Sequence, residues 1–341
     1  VRTVLKQMLE ADPEIHIVGE ATDPYEAKDL IPKLKPDMLI LDLEMPRMDG
    51  LTFLKVLMKK WPLPVLVFSS LTRSTSDIAY KALQLGAMEV LGKPTDGSDG
   101  LAQLEPKIKQ IVKTLGQVGM RTNQKREELR KRRSTSILAP ECPQSSPDTV
   151  CLLGASTGGT EALRSIISQL PANFPPTCVA QHIPPVFSSA FAKHLNETTP
   201  LTVKEAKHGD RCAQGTVLIA PGDHHMLLRQ DRQGYYVCLN QAAPVWYQRP
   251  AVEVLFRSAM RCQPAKTIAG VLTGMGSDGG HGLKQLRDAG ARTFGQSKES
   301  CVVYGMPRVA HELGACENMV DLEDIPIYLQ RLLAHTVSIP A

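Results

Sequence analysis

The 341-residue sequence has no run of the roughly 18 to 20 uninterrupted apolar residues that a membrane-crossing helix needs, and its first residues lack the basic, apolar and small-residue order of a signal peptide. A cytoplasmic protein without membrane insertion is therefore expected. There is no C-x-x-C pair and no cysteine and histidine cluster at zinc-ligand spacing. The eight cysteines (142, 151, 178, 212, 238, 262, 301 and 316) are scattered and read as reduced, mostly structural thiols. No internal repeat is visible. With Gly 25 and Pro 25 near average usage, the chain is neither fibrous nor mainly disordered.

What is present is an ordinary globular balance, 43% hydrophobic and 22% charged residues, on a length that suggests two domains at roughly 150 residues each. The net charge is +4, yet it is not spread evenly. Between Arg121 and Arg133 lie seven basic residues against Glu127 and Glu128, a local excess of five that accounts for the whole positive balance. The bland reading of this run is a solvated face; contact with an acidic partner surface is the other. No helix-turn-helix or basic recognition helix accompanies it, so a nucleic-acid-binding regulator is disfavoured and no nucleic-acid partner is expected.

Residues 1–116 alternate short apolar runs with amphipathic stretches, as a parallel sheet with crossover helices does. Strands are predicted at Ile15–Glu20, Met38–Asp42, Val65–Ser69 and Glu89–Gly92, with helices near Tyr25–Leu34, Leu51–Lys60, Ser76–Leu85 and Leu101–Leu115. Val1–Leu9 already reads as a helix, whereas a doubly wound domain opens with a buried central strand. That strand and the loop after it are expected to be missing. Residues 117–147 turn basic and then rich in Ser, Thr and Pro, which predicts a flexible linker.

The second domain, 148–341, opens with an apolar strand at Thr149–Leu153 that runs into Gly154-Ala155-Ser156-Thr157-Gly158-Gly159-Thr160 and a helix at Glu161–Leu170. Further strands are predicted at Thr177–Gln181, Gly215–Ala220, Tyr235–Leu239, Thr267–Thr273, Arg292–Gln296 and Glu317–Val320, with an antiparallel-looking insert over Leu201–Leu239. The fold class is α/β throughout: two doubly wound parallel-sheet domains, the first flavodoxin-like, the second Rossmann-like with a small antiparallel insert.

In open parallel sheets, chemistry gathers where strands end. In the first domain Asp42, Ser69 and Lys93 each stand at such an end. A carboxylate accepts a phosphoryl group when a cation and a lysine neutralise the transferred oxygens and a hydroxyl reports the change. Alone, an Asp after a strand is usually a turn or cap residue; the combination is more specific. These positions, with the D-x-x-M-P-x-M-D-G stretch from Asp42 to Gly50, resemble the receiver domains of two-component signalling. The resemblance implies Asp42 as phosphoacceptor, Ser69 as switch hydroxyl and Lys93, followed by Pro94, as phosphate partner. It also implies Mg²⁺ for phosphorylation, held by an acidic pair after the first strand. That pair is absent here, leaving Asp42 and Glu44, so weak Mg²⁺ and phosphate acceptance is expected.

In the second domain Gly154 to Gly158 satisfies G-x-S-x-G in a strand-turn-helix context, which is either a nucleophile elbow or a phosphate-binding loop. No acidic residue ends the next strand to hold a ribose. Gln181-His182 ends it instead, and His182 at that edge beside a candidate serine favours the nucleophile. Asp278, in Thr273-Gly274-Met275-Gly276-Ser277-Asp278-Gly279-Gly280, follows a further strand and completes the order Ser156, His182, Asp278. The α/β-hydrolases run in a different order, but a triad depends on geometry and not on chain order.

Gly154–Thr160, Gln181–Pro185, Arg249-Pro250, Gly274–Gly280 and Val303-Tyr304-Gly305-Met306-Pro307 together resemble the chemotaxis protein-glutamate methylesterase family, over nearly the whole chain. The resemblance implies hydrolysis of glutamate γ-methyl esters on methylated chemoreceptors and deamidation of receptor glutamines, in a monomer needing no catalytic cofactor or metal. It implies Thr157 and Met275 near the oxyanion, with a chemotaxis histidine kinase as phosphodonor. A first domain that covers the second until phosphorylated is the regulatory expectation. His208, His224 and His225 lack metal-site spacing and read as surface residues. Arg249 is either a holder of an acidic receptor surface or a structural ion pair. Tyr247-Gln248 departs from the more polar, often His-containing stretch of the family. Trp61 and Trp246 read as core or edge packing.

Overall fold

Strands covered on both faces by crossover helices read as unbroken apolar runs. In the computed structural model, which describes residues 2–45, 47–70, 73–93, 104–118 and 149–336, such runs build two separate parallel sheets, one in each of two compact units. The linker predicted at 117–147 lies, from 119 onward, outside the described residues, as does Pro94.

The first unit holds α1 (Arg2–Glu10), α2 (Pro24–Leu34), β1 (Leu39–Leu41), α3 (Gly50–Lys60), β2 (Val65–Ser70), α4 (Arg73–Gln84), β3 (Glu89–Lys93) and α5 (104–118). Its strands pair in parallel in the order β1-β2-β3. Carboxylates start two of the helices. Asp23 accepts the Tyr25 and Glu26 N–H groups at the head of α2, and Asp49 those of Leu51 and Thr52 at the head of α3. Phe53, Leu54 and Leu57 of α3 are buried.

One sequence expectation fails in this unit. Ile15–Glu20 is not a strand; it joins no ladder among the described residues. A strand exists only through a hydrogen-bonding neighbour. Here the segment and β1 instead line a cavity of about 640 Å³, with Leu5, Leu9, Leu30 and Phe53 also in its walls.

The second unit contains β4 (Val150–Ala155), α6 (Gly159–Ile167), β5 (Thr177–Gln181), α7 (Pro185–Thr198), β6 (Thr202–Glu205), β7 (Thr216–Ile219), β8 (His225–Asp231), β9 (Gly234–Asn240), α8 (Val252–Ala259), β10 (Thr267–Val271), α9 (Gly280–Asp288), β11 (Arg292–Gln296), α10 (Met306–Glu312), β12 (Asn318–Val320) and α11 (Ile325–Thr336). Seven strands form one parallel sheet ordered β12-β11-β10-β4-β5-β7-β6. The antiparallel insert is narrower than expected: β8 and β9 pair antiparallel, with a single bridge from Arg211 to Tyr236 beside them, while β6 and β7 extend the main sheet in parallel. The run Thr202–Glu205 is too short and too polar for its strand to show in an apolar pattern.

Chain order decides where a crevice opens. From β4 the chain adds β5, then the edge strand β6 and β7 between the two, all on one side, and returns with β10 to the other side of β4. The carboxyl ends of β4 and β10 therefore flank a topological switch point, the place where doubly wound sheets open to ligands. Every residue of β4, β5 and β10 is buried.

Helix α8 approaches β4 closely at Gly154. A Cβ there would stand 2.1 Å from Cγ1 of Val252, the first residue of α8. Gly154→Ala must push α8 away, and overpacking of this kind costs about 1–3 kcal/mol. Urea unfolding of the variant is expected to show a midpoint lowered accordingly, with a matching loss of activity.

Candidate active site

The strand register brings three loops to one edge. Ala155 pairs with Gln181, so Ser156 and His182 leave their strands side by side, and the His182 N–H donates to the Ala155 carbonyl at 3.1 Å. On the other flank the Ser156 N–H donates to the Thr273 carbonyl at 3.0 Å, which ties the serine loop to the segment after β10. The turn into α6 is tight: the Gly159 N–H reaches the Ser156 carbonyl at 2.7 Å and Gly158 takes φ +77°, a conformation that suits glycine.

The three predicted side chains meet in series. Ser156 Oγ lies 3.1 Å from His182 Nδ1, and His182 Nε2 lies 2.7 Å from Asp278 Oδ2. All three are buried. An ionised carboxylate only accepts, so the imidazole hydrogen sits on Nε2 and donates to Asp278. Nδ1 then carries the free lone pair and accepts from the Ser156 hydroxyl.

Asp278 is anchored by backbone as well. Its Oδ2 accepts the Val252 N–H at 2.7 Å and its Oδ1 accepts the Glu253 N–H at 2.8 Å. Those are the first N–H groups of α8, whose cap residue Ala251 offers no side-chain bond. Asp278 thus supplies the acceptors that the helix start lacks, and the helix dipole favours its negative charge.

Two supporting residues escaped the sequence reading. The Thr273 hydroxyl donates to the Thr157 carbonyl at 3.0 Å and receives the Val303 N–H at 2.9 Å, joining three loops. The Gln181 amide donates to the Ser156 carbonyl at 2.9 Å and the His182 carbonyl at 3.2 Å. A polar residue closing an apolar strand was their only signal. Of the predicted near-site residues, Thr157 is buried and Met275 half-buried, the latter on the loop that Gly274 starts. A Cβ on Gly274 would come within 2.7 Å of the Ser156 Cβ.

Two buried thiols of this unit are kept neutral. Burial pushes Cys151 on β4 up to about 12 and Cys316 likewise to about 12, so both stay protonated at neutral pH. The surface reading of His225 is corrected. It is 1% exposed, accepts the Ala251 N–H on Nδ1 at 3.2 Å and donates from Nε2 to the Ala243 carbonyl at 3.1 Å. Arg249 is structural: Nε and Nη2 hold Asp223 at 2.8 and 2.5 Å while Nη1 donates to the carbonyls of Gln241 and Ala242.

In the first unit Lys93 Nζ lies 2.7 Å from Asp42 Oδ2 and 3.5 Å from Glu44. Ser70, not Ser69, bonds Glu44, at 2.5 Å; together with the charge of Lys93 this holds Glu44 below the usual carboxylate range. Ser69 is buried, its hydroxyl 3.5 Å from the Ser70 carbonyl. Among the described residues no group of three His, Cys, Asp or Glu is arranged to hold a metal ion. Asp42 and Glu44 are engaged by Lys93 instead, so these residues do not by themselves fit Mg²⁺.

A hydroxyl, an imidazole and a carboxylate in series at the carboxyl edge of a parallel sheet form the geometry that serine-type hydrolysis requires. The family model for CheB methylesterase matches residues 151–329, and that for the response regulator receiver domain matches 1–105. The protein-glutamate methylesterase/protein-glutamine glutaminase 2 of Pseudomonas aeruginosa is 46% identical over 95% of this chain and 91% of its own length. Its Syntrophus aciditrophicus namesake is 41% identical over 98% and 96%. The solved catalytic domain of Thermotoga maritima CheB methylesterase matches with a TM-score of 0.53 at 38% identity, covering 55% of this chain and all of that one. The chain belongs to the CheB methylesterase family and carries a response regulator receiver domain.

Asp278→Asn tests the series of bonds. An amide oxygen at the Oδ2 position keeps His182 and Val252 bonded, but the NH₂ then faces the Glu253 N–H and no negative charge remains. One unsatisfied buried donor costs about 1–3 kcal/mol of stability. Loss of the charge is expected to lower kcat by about 10³-fold or more, read as ester hydrolysis beside a urea melt.

Proposed function

We propose that the chain hydrolyses glutamate γ-methyl esters on chemoreceptors, releasing methanol, with Ser156 as nucleophile, His182 as general base and acid, and Asp278 as the group that orients and charges against the imidazole. The bonded series Ser156 Oγ, His182 Nδ1, His182 Nε2, Asp278 Oδ2 carries this reading.

As Oγ adds to the ester carbonyl, its proton passes to Nδ1, and the imidazolium is stabilised by the buried carboxylate at Nε2. The oxygen of the tetrahedral intermediate takes its charge beside Thr157 and Met275, the Met275 backbone N–H serving as a donor. Collapse breaks the bond to methoxide, which leaves as methanol with the proton from Nδ1. Water then adds to the acyl-enzyme, giving its proton to the same nitrogen, and glutamate and free Ser156 are regenerated. The same cycle with a glutamine amide releases ammonia, the glutaminase activity that the relatives' names carry. None of these steps draws on a cofactor.

Regulation enters through the first unit. Asp42 is the acceptor for a phosphoryl group from a chemotaxis histidine kinase, with Lys93 to balance the added charge and Ser69 as the switch hydroxyl; with only Asp42 and Glu44 present, and both on Lys93, acceptance by these residues is weak. A cytoplasmic location fits such partners, and no helix among the described residues is long and apolar enough to cross a membrane.

Methanol release from methylated chemoreceptor, measured for the full chain and for Ser156→Ala with and without a small-molecule phosphodonor, tests the proposal. Release is expected to fall by about 10³-fold or more in the variant, and any phosphodonor response to vanish in Asp42→Asn. Release that persists undiminished without the Ser156 hydroxyl refutes the mechanism.

A further inference from the structure

Between β9 and α8 the chain makes an eleven-residue loop, 241–251, that leads into the helix start holding Asp278. At its tip Val245 and Gln248 close a two-residue hairpin through bonds of 3.1 and 3.0 Å in both directions. The two residues of the turn are Trp246 and Tyr247, with φ of +52° and +59°. Two consecutive left-handed residues are the signature of a type I′ turn, which Asn-Gly makes without strain. Bulky side chains rarely adopt this backbone, and such outliers persist where a surrounding structure holds them and a function uses them.

The surroundings hold this turn firmly. Arg249 binds Asp223 and the carbonyls of Gln241 and Ala242, and His225 bridges Ala243 to Ala251 beneath it. Yet the aromatic rings are not spent on packing: Trp246 is 45% exposed and Tyr247 94% exposed. Trp246 stacks on His281 at a centroid distance of 6.5 Å and an interplanar angle of 9°.

The tip connects to the elements beside Asp278 by a ring stack and by the chain itself. His281 lies three residues beyond Asp278 on α9, and the loop itself runs through Ala251 into the Val252 and Glu253 N–H groups that hold the Asp278 carboxylate. An exposed, preorganised aromatic pair continuous with an active-site rim has the character of a binding hot spot. We infer that Trp246 and Tyr247 form the docking surface for the helical segment of the chemoreceptor that bears the methyl ester, an inference that rests on the methylesterase reading above. A substrate side chain on a helix arrives with a turn of neighbouring residues on either side, and a flat ring at the rim meets those neighbours while the ester enters beside Ser156. Trp246 therefore serves as more than the core or edge packing its sequence position suggests.

The test compares the full chain with Tyr247→Ser and with Trp246→Asn/Tyr247→Gly, which installs the unstrained turn and so protects the fold. Two substrates are used, methylated chemoreceptor in membrane vesicles and N-acetyl-glutamate γ-methyl ester, which has no helix. For the receptor, kcat/KM is expected to fall roughly tenfold through KM, with the small ester hydrolysed within about twofold of the parent rate and the thermal midpoint of the double variant unchanged or raised. An unchanged receptor KM overturns the inference, and so does an equal loss on both substrates, which would mark the turn as a support for Asp278. A parent chain that cleaves the small ester but never the receptor removes the methylesterase reading itself and the docking surface with it.

Discussion

One buried carboxylate organises the catalytic half of this protein. Asp278 brings two oxygens to a buried place and meets three donors there: an imidazole N–H and the first two N–H groups of α8. An isolated carboxylate in such a place is far too costly to bury, and a helix start without a cap leaves donors orphaned. Each problem resolves the other. The arrangement fixes α8 against β4, which is why Gly154 must be a glycine, and it fixes the His182 ring by the same bond that stabilises its charged form. Fold and chemistry therefore share a constraint, and neither is adjustable without the other.

The series runs through the imidazole with Nδ1 toward the serine and Nε2 toward the carboxylate. The strand register explains the direction. His182 follows β5 immediately and its own N–H is held on Ala155 at 3.1 Å, so the ring leaves the backbone right beside Ser156. Nδ1, the nitrogen nearer the backbone, faces that neighbour, while Nε2 at the far side of the ring reaches across to the segment after β10. A triad built on adjacent parallel strands gets its near bond from register and its far bond from the switch point, with no long loop to position any member.

Much of this was legible in the sequence because parallel sheets place chemistry at strand ends, and strand ends can be counted. Ser156 and His182 follow their strands directly, Asp278 stands on the loop after β10, and the structure joins them. The direction of the imidazole was not legible, since either nitrogen suits a linear order. Thr273 was hidden for another reason: its hydroxyl ties carbonyl and N–H groups on loops remote in the chain, and nothing local distinguishes it from a strand residue. His225 looked like one of three surface histidines because it opens β8, a strand that the sequence pattern did not mark. Ile15–Glu20 shows the opposite failure. Its pattern is that of a strand, but a ladder is a property of two segments, and the pattern of one says nothing of its partner.

The two units apply one rule to different ends. Each gathers its polar residues at the carboxyl edge of a parallel sheet, where helix N-termini and loop N–H groups favour negative charge. In the second unit the negative charge is built in as Asp278, buried and fully bonded, so it stays fixed and sets the state of its neighbour. In the first, Asp42 remains partly exposed with Lys93 against it and Glu44 beside it. Its Oδ1 accepts the Glu44 N–H at 3.0 Å, and its Oδ2 faces the Lys93 ammonium on the side open to solvent. The difference lies in exposure and in the number of backbone donors: Asp278 is buried on two backbone N–H groups and an imidazole, whereas Asp42 is partly exposed on one backbone N–H and an ammonium.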